Sequence, residues 1–296
     1  MKITTLLQTT RPAFLVLTFA CVFLGLSTAL STQASIDLFM AFLVMAGAVL
    51  AHISVNTLNE YYDFKSGLDL KTGKTPFSGG SGALPNFPEA AGATLIIGIV
   101  SLALVIAIGI YFILERGMQI LPIGLMGIIL IIAYTPWINR SPFLCLLAPG
   151  TGFGILMVVG THLVLTGESP RSVWLIALIP FFLVNNLLLL NQYPDIKADA
   201  DVGRNTFPIA YGIRNSNIVY ALFMAAPYLL ILVLIVTATI PLLGIIALVP
   251  LAFAIVSLSG AIKHSSRIGD FPKYLGANVA AAISTPFLLG IAIVSG

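Results

Sequence analysis

Apolar residues in this chain fall into long uninterrupted runs separated by short polar joints. Each run holds roughly 20 residues, enough to carry a helix across the ~30 Å hydrocarbon core of a bilayer. The runs do not alternate apolar and polar residues in period two, so membrane strands are excluded and helices are predicted. Nine spans are expected, at 12–30, 38–58, 89–114, 119–137, 143–166, 173–192, 218–238, 242–262 and 274–294. No linker divides them. The expected architecture is an all-α, polytopic transmembrane helical bundle forming one domain over 1–296.

Composition removes the soluble alternatives. Hydrophobic residues make up 58% of the chain and charged residues 8%, against about 25% charged in a typical soluble domain. The net charge of +3 carries no signal for nucleic acid. Cys21 and Cys145 both lie inside predicted spans and read as small packing residues. The bases set the orientation. If the N-terminus is inside, Lys2, Arg11, Lys65, Lys71, Lys74, Arg140, Lys197, Arg204, Arg214, Lys263, Arg267 and Lys273 share one face, and Arg116 and Arg171 the other. Twelve against two predicts a multi-pass plasma-membrane protein with a cytoplasmic N-terminus and an outer C-terminus.

The acids are more unevenly placed still. Of 11 carboxylates, six fall in two short stretches. Glu60, Asp63 and Asp69 follow the second span, and Asp195, Asp199 and Asp201 follow the sixth, both on the cytoplasmic side. Asn56, Asn59, Glu60 and Asp63 share a helical face by their spacing, as do Asn191, Asp195 and Asp199. Gly67 is expected to end the first helix and leave Asp69 in a loop that folds back, and Pro194 to kink the second. Two acidic faces at one membrane edge repel unless something positive lies between them. Mg²⁺ suits the place, because it takes a few carboxylates and fills its other positions with water and phosphate oxygens. Lys65, Lys71, Lys74 and Arg204 nearby suit phosphate. The run from Phe77 to Gly82 offers backbone N–H groups for an anion.

These two segments, Asn56 to Asp69 and Asp195 to Thr206, resemble the two aspartate-rich motifs of the UbiA superfamily of intramembrane prenyltransferases. The resemblance extends over the whole chain, since nine spans with motifs after the second and sixth match that architecture. It implies that Asn56, Asn59, Glu60, Asp63, Asp69, Asp195 and Asp199 hold Mg²⁺ and the diphosphate of a polyprenyl donor, with Asp201 supporting. Glu60 stands where many relatives have Asp. Lys65, Arg140 and Arg204 are implied diphosphate contacts. Tyr134, followed by Arg140, is similar to a tyrosine-plus-base feature beside the diphosphate. Asp63, Asp195 and Tyr134 are the implied catalytic residues. Asn191 and His52 are candidate substrate contacts, and His52 lies one turn before Asn56. Tyr61-Tyr62 and the spacing of Asp63, Gly67 and Asp69 look most like the 1,4-dihydroxy-2-naphthoate prenyltransferases of menaquinone synthesis. The Pro136-Trp137-Ile138-Asn139-Arg140 segment departs from that subgroup. Other acceptors thus stay open: 4-hydroxybenzoate, homogentisate, a tetrapyrrole or a glycerol-phosphate lipid.

Blander roles fit the remaining polar residues. Asn185 and Asn186 read as interhelical hydrogen-bond formers, His162 as an interfacial residue, and His264 as solvated. Lys263, Arg267 and Lys273 read as a topology signal in contact with anionic lipid. A transporter is the rival from another class, but its site belongs near the bilayer midplane, whereas these acids crowd one edge.

Overall fold

The computed structural model describes residues 3–33 and 35–296; Lys2, one of the twelve bases above, lies outside them. Nine apolar helices occur among the described residues, and no strand. Eight are long enough to cross a membrane: α1 (Pro12–Leu30), α2 (Leu38–Ser66), α3 (Pro88–Arg116), α5 (Pro142–Thr166), α6 (Arg171–Asn191), α7 (Phe207–Val236), α8 (Leu242–Asp270) and α9 (Pro272–Ser295). The shorter α4 (Met118–Ala133) lies between α3 and α5. The chain is a multi-pass membrane protein.

Sequence neighbours pack as spatial neighbours, and α1 closes the ring against α9. Helices α1, α5, α6 and α9 are the inner members. Of α6's apolar stretch 67% is buried, against 17% for α3, whose large side chains face lipid. Tight helix contact in a membrane needs small residues, because lipid removes most of the hydrophobic drive for association. Gly150 and Gly154 of α5 supply them. A Cβ on either would overlap the Phe181 backbone of α6. Gly154→Val is therefore expected to force the two helices apart and lower the detergent melting temperature strongly, by about 1–3 kcal/mol or more. Gly92→Ala, where a Cβ meets nothing within 4 Å, should leave it unchanged.

Buried polar side chains act as interhelical ties. Asn186 Nδ2 donates to the Tyr220 carbonyl at 2.9 Å, and Asn278 Nδ2 to the Asn186 carbonyl at 3.0 Å. The Tyr220 hydroxyl sits 2.9 Å from both Ser257 Oγ and Asn278 Oδ1. Four helices, α6 to α9, are joined through this network. Asn185 Oδ1 accepts the Gly150 N–H at 2.6 Å. His162 departs from expectation. It is buried, with Nδ1 3.0 Å from Thr28 Oγ1, because α1 covers that face of α5. His264 stacks on Phe271 at 3.7 Å.

Three local features shape the site. Helix α2 starts at Asp37, whose side chain accepts the Phe39 and Met40 N–H groups, and stops at Gly67 with φ 78°. Glycine takes that left-handed geometry without penalty. Helix α5 widens into a π turn over Thr151–Leu156, just after Pro149; such turns occur frequently at functional sites. Helix α6 ends at Asn191, and the short helix Ile196–Asp201 begins anew after Pro194. Asn191, Asp195 and Asp199 therefore do not share one continuous helix face, because the proline breaks the run.

Candidate active site

A cavity of about 560 Å³ lies among α2, α3, α4 and α5, with its polar end under the loops after α2 and α6. On α2 its lining runs from Asp63 back to Val44, about 28 Å of helix at 1.5 Å per residue. Past the polar end the wall is apolar and includes Gly47, Gly124, Gly127 and Gly160, whose missing side chains keep it open. Its far end is formed by Val44, Phe112, Ile120, Leu163 and Val164, all buried. Its flank, at Ile106 and Ile110 of α3 and Leu121 and Leu125 of α4, is exposed on the lipid-facing surface.

Both acidic stretches meet at the polar end. Asn56, Asn59 and Asp63 reach it from α2, Asp69 from the turn Leu68–Leu70, Asn191 as the last residue of α6, and Asp195, Asp199 and Arg204 from the segment after it. The positive charge between them belongs to the chain itself. The Arg204 guanidinium pairs with Asp63 through Nη2 and with Asp199 through Nη1, the latter at 3.0 Å. Among the described residues no three His, Cys, Asp or Glu side chains form a ready-made metal cluster. Burial pushes the Asp69 carboxyl up to about 7, reinforced by the charges of Glu60 and Asp63. It does the same for Asp195, with Asp199 adding to the shift and Arg204 opposing it. Asp199 is also raised, chiefly by burial and against the pull of Arg204. Positive charge placed between these groups would lower all three.

A cation fits the donor set. Asp69 Oδ2, Asp195 Oδ1, Asn191 Oδ1 and Gln192 Oε1 are buried acceptors without a hydrogen-bond partner, as are the hydroxyls of Thr72 and Thr206. All six side chains line the cavity. Buried oxygens without partners are costly, and a hard divalent ion is the partner that takes only oxygens. The amide of Asn59 is more committed. Its Oδ1 accepts from Arg11 at 3.2 Å and its Nδ2 donates to Thr135 Oγ1 at 3.1 Å. Asn56 Nδ2 donates to the Thr10 carbonyl, which leaves Asn56 Oδ1 available.

His52 and Tyr134 also line the cavity. His52 Nδ1 is 2.8 Å from Thr18 Oγ1, and its ring meets Phe153, on the π turn, edge-on at 4.7 Å. Four expected contacts lie off the cavity. Glu60 is wholly buried against Arg11 and Ser81. Lys65 is exposed, its ammonium 5.7 Å from the centre of the Tyr61 ring. Arg140 is exposed in the turn Ile138–Arg140. Asp201 lines a smaller polar pocket of about 260 Å³, with Lys71, Lys197 and the shared Thr72 and Asp195. Each follows from tertiary partners and helix ends, which the spacing of charges alone does not reveal. Residues that the sequence did not single out are Arg11, Thr72, Phe153, Gln192 and Thr206. The prolines at 12 and 149, next to Arg11 and near Phe153, were the available signals.

Comparison with known proteins agrees with this geometry. The model of the UbiA prenyltransferase family matches residues 16–282. The chain is 28% identical over 239 residues to a 1,4-dihydroxy-2-naphthoate octaprenyltransferase of Bacillus subtilis, covering 78% of this chain and 73% of that one. It is 27% identical to the UbiA prenyltransferase domain-containing protein 1 of Dictyostelium discoideum, covering 74% and 68%. Its fold is similar to that of a UbiA homolog from Archaeoglobus fulgidus solved with DMAPP and Mg²⁺, at a TM-score of 0.67 and 15% identity over 98% of this chain and 99% of that one. With the family model covering nearly all of the bundle, and both acidic stretches converging on one cavity, the chain belongs to the UbiA prenyltransferase family.

Proposed function

We propose that this prenyltransferase moves a polyprenyl group from its diphosphate to 1,4-dihydroxy-2-naphthoate, in a Mg²⁺-dependent reaction of menaquinone synthesis. A single domain carries it out at the cytoplasmic face of the plasma membrane. The observation that carries the reading is one continuous cavity, oxygen-rich and charged at one end and apolar along the rest. A diphosphate head and an isoprenoid tail have that same division. The relatives named for this acceptor support the choice of acceptor, and the distribution of bases supports the orientation.

Asn56, Asp63, Asp69, Asp195 and Asp199 would hold Mg²⁺, and Asn191 and Gln192 offer further oxygens. When bound, the ion neutralises diphosphate charge and so makes it a better leaving group. The chain's own groups do the rest. Arg204 supplies a fixed positive charge beside the departing diphosphate, which is electrostatic catalysis. The loop residues Phe77 to Gly80 cover the polar end and limit water, which would otherwise trap the allylic cation. Tyr134, Phe153 and Phe14 on the cavity wall present π faces worth ~0.5–2 kcal/mol each to such a cation. His52 and Asn191, both on the cavity wall, would touch the acceptor. The ring carbon that bears the carboxylate would form the new bond to the prenyl C1 as the C1–O pair departs with the diphosphate, and the carboxylate would then leave as carbon dioxide, its C–C pair restoring the aromatic ring. Lys65 and Arg140 are charges at the membrane edge, and Asp201 belongs to the neighbouring polar pocket.

The test is a matrix assay of purified protein in nanodiscs with several donors and several aromatic acceptors, with Mg²⁺ or EDTA. Product is expected with the dihydroxynaphthoate, and about a hundredfold less after chelation. Turnover of 4-hydroxybenzoate or homogentisate in its place would reassign the acceptor. Equal turnover in EDTA would remove the metal.

A further inference from the structure

We propose that Glu60 is a positioning residue, a buried latch that holds the loop 71–82 over the polar end of the cavity and, through Arg11, fixes Asn59. Its catalytic consequence rests on the prenyltransferase reading above; the latch itself does not.

Glu60 is 0% exposed and does not line the cavity. Its carboxylate is already saturated by the chain. Oε1 accepts from Arg11 Nε at 2.8 Å and from the Ser81 N–H at 2.7 Å, and Arg11 Nη2 lies 2.6 Å away. Oε2 accepts from the Ser81 hydroxyl at 2.6 Å. A carboxylate with this many charge-assisted partners has little left for a cation. The oxygens without partners belong to Asp69, Asp195, Asn191 and Gln192 instead.

Two remote segments meet at this carboxylate. Arg11 sits at the entry to α1 in a left-handed conformation, φ 52°, which is unfavourable for a residue with a side chain. Surrounding contacts must hold it, and its bonds to Glu60 and Asn59 add to the backbone bonds it makes with Gln8 and Phe14. Ser81 is the far end of the loop whose Thr72, Phe77, Ser78, Gly79 and Gly80 roof the cavity. Gly80 lies so close below that a Cβ would come 2.8 Å from Asp69 Oδ1 and 3.5 Å from Glu60 Oε1. A further attachment of the loop is apolar: Phe77 packs against the Tyr193, Ile268 and Leu275 cluster. Releasing Glu60 thus frees one end of the roof, and the donor head must pass under that roof to reach the acids.

The experiment uses full-length protein in nanodiscs with Glu60→Gln, Ser81→Ala and the double variant. Hydrogen exchange of residues 71–82 without substrate should quicken about tenfold or more in each, and less than additively in the double. Donor KM should rise about five- to tenfold with kcat within about threefold, while the Mg²⁺ half-saturation stays within about twofold. Unchanged exchange in both single variants would overturn the latch. A Mg²⁺ half-saturation raised more than about tenfold by Glu60→Gln but not by Ser81→Ala would make Glu60 a ligand instead. The exchange measurement needs no turnover, so it decides the latch even if the chain proves to act on other substrates.

Discussion

Asp63→Asn and Asp195→Asn are each expected to lower prenyl transfer about a thousandfold or more, with the protein still inserted and folded. One acid comes from α2 and the other from the segment after α6, and both reach the same end of one cavity. Asparagine keeps the size and removes the charge, so packing is preserved while affinity for a cation and its diphosphate falls. Asp195→Asn should be the milder for folding, since Asp195 Oδ1 has no partner to lose. Asp63→Asn weakens the pair with Arg204 but leaves Asp199 to hold the guanidinium. Transfer of labelled donor in membranes, alongside melting in detergent, checks both. Lys65→Gln, at an exposed position off the cavity, is the control and should retain turnover within about threefold. Full turnover by either acid variant would remove that residue from the chemistry.

Arg204→Leu should cost both stability and activity. Arg204 is the charge that separates Asp63 from Asp199, and all three side chains are largely buried. Removing it leaves two carboxylates facing each other out of water, a change worth about 3–5 kcal/mol. Mg²⁺ should restore part of that loss, because a ligand present at a hundred times its Kd stabilises by about 2.7 kcal/mol. Arg204→Lys keeps the charge but not the forked geometry, so an intermediate result is expected. Melting curves with and without Mg²⁺ read this directly. A variant whose loss is the same in both conditions would place the ion somewhere other than between these acids.

The bundle was legible because hydropathy reports contact with lipid. It was less informative about helix length. Helix α2 continues from Leu58 to Ser66, because its polar extension remains helical beyond the apolar run, whereas the helical residues from Phe207 precede a sharp break at Gly212, φ 77°, before the main run of α7. The site was legible to the extent that charge is rare in this chain, so two acidic stretches stand out. What each acid does was not. Glu60 and Asp63 are three residues apart on one helix, yet the first turns toward Ser81 and the second toward Arg204. Those partners are 21 and 141 residues away in sequence, and no periodicity encodes them. The proline-broken turn before Asp195 shows the same limit, since helical spacing assumes an unbroken helix.

The charged side chains of the cavity wall gather at one end, and this separates two properties of the enzyme. On the proposed reading the diphosphate head would be the anchor, so the first carbon of any donor would stop at the same height whatever tail it carries. Variation in chain length would then be met at Val44, Phe112 and Ile120, at the opposite end of the cavity from the acids. On that reading those positions would be free to suit a longer or shorter isoprenoid without disturbing the reacting atoms.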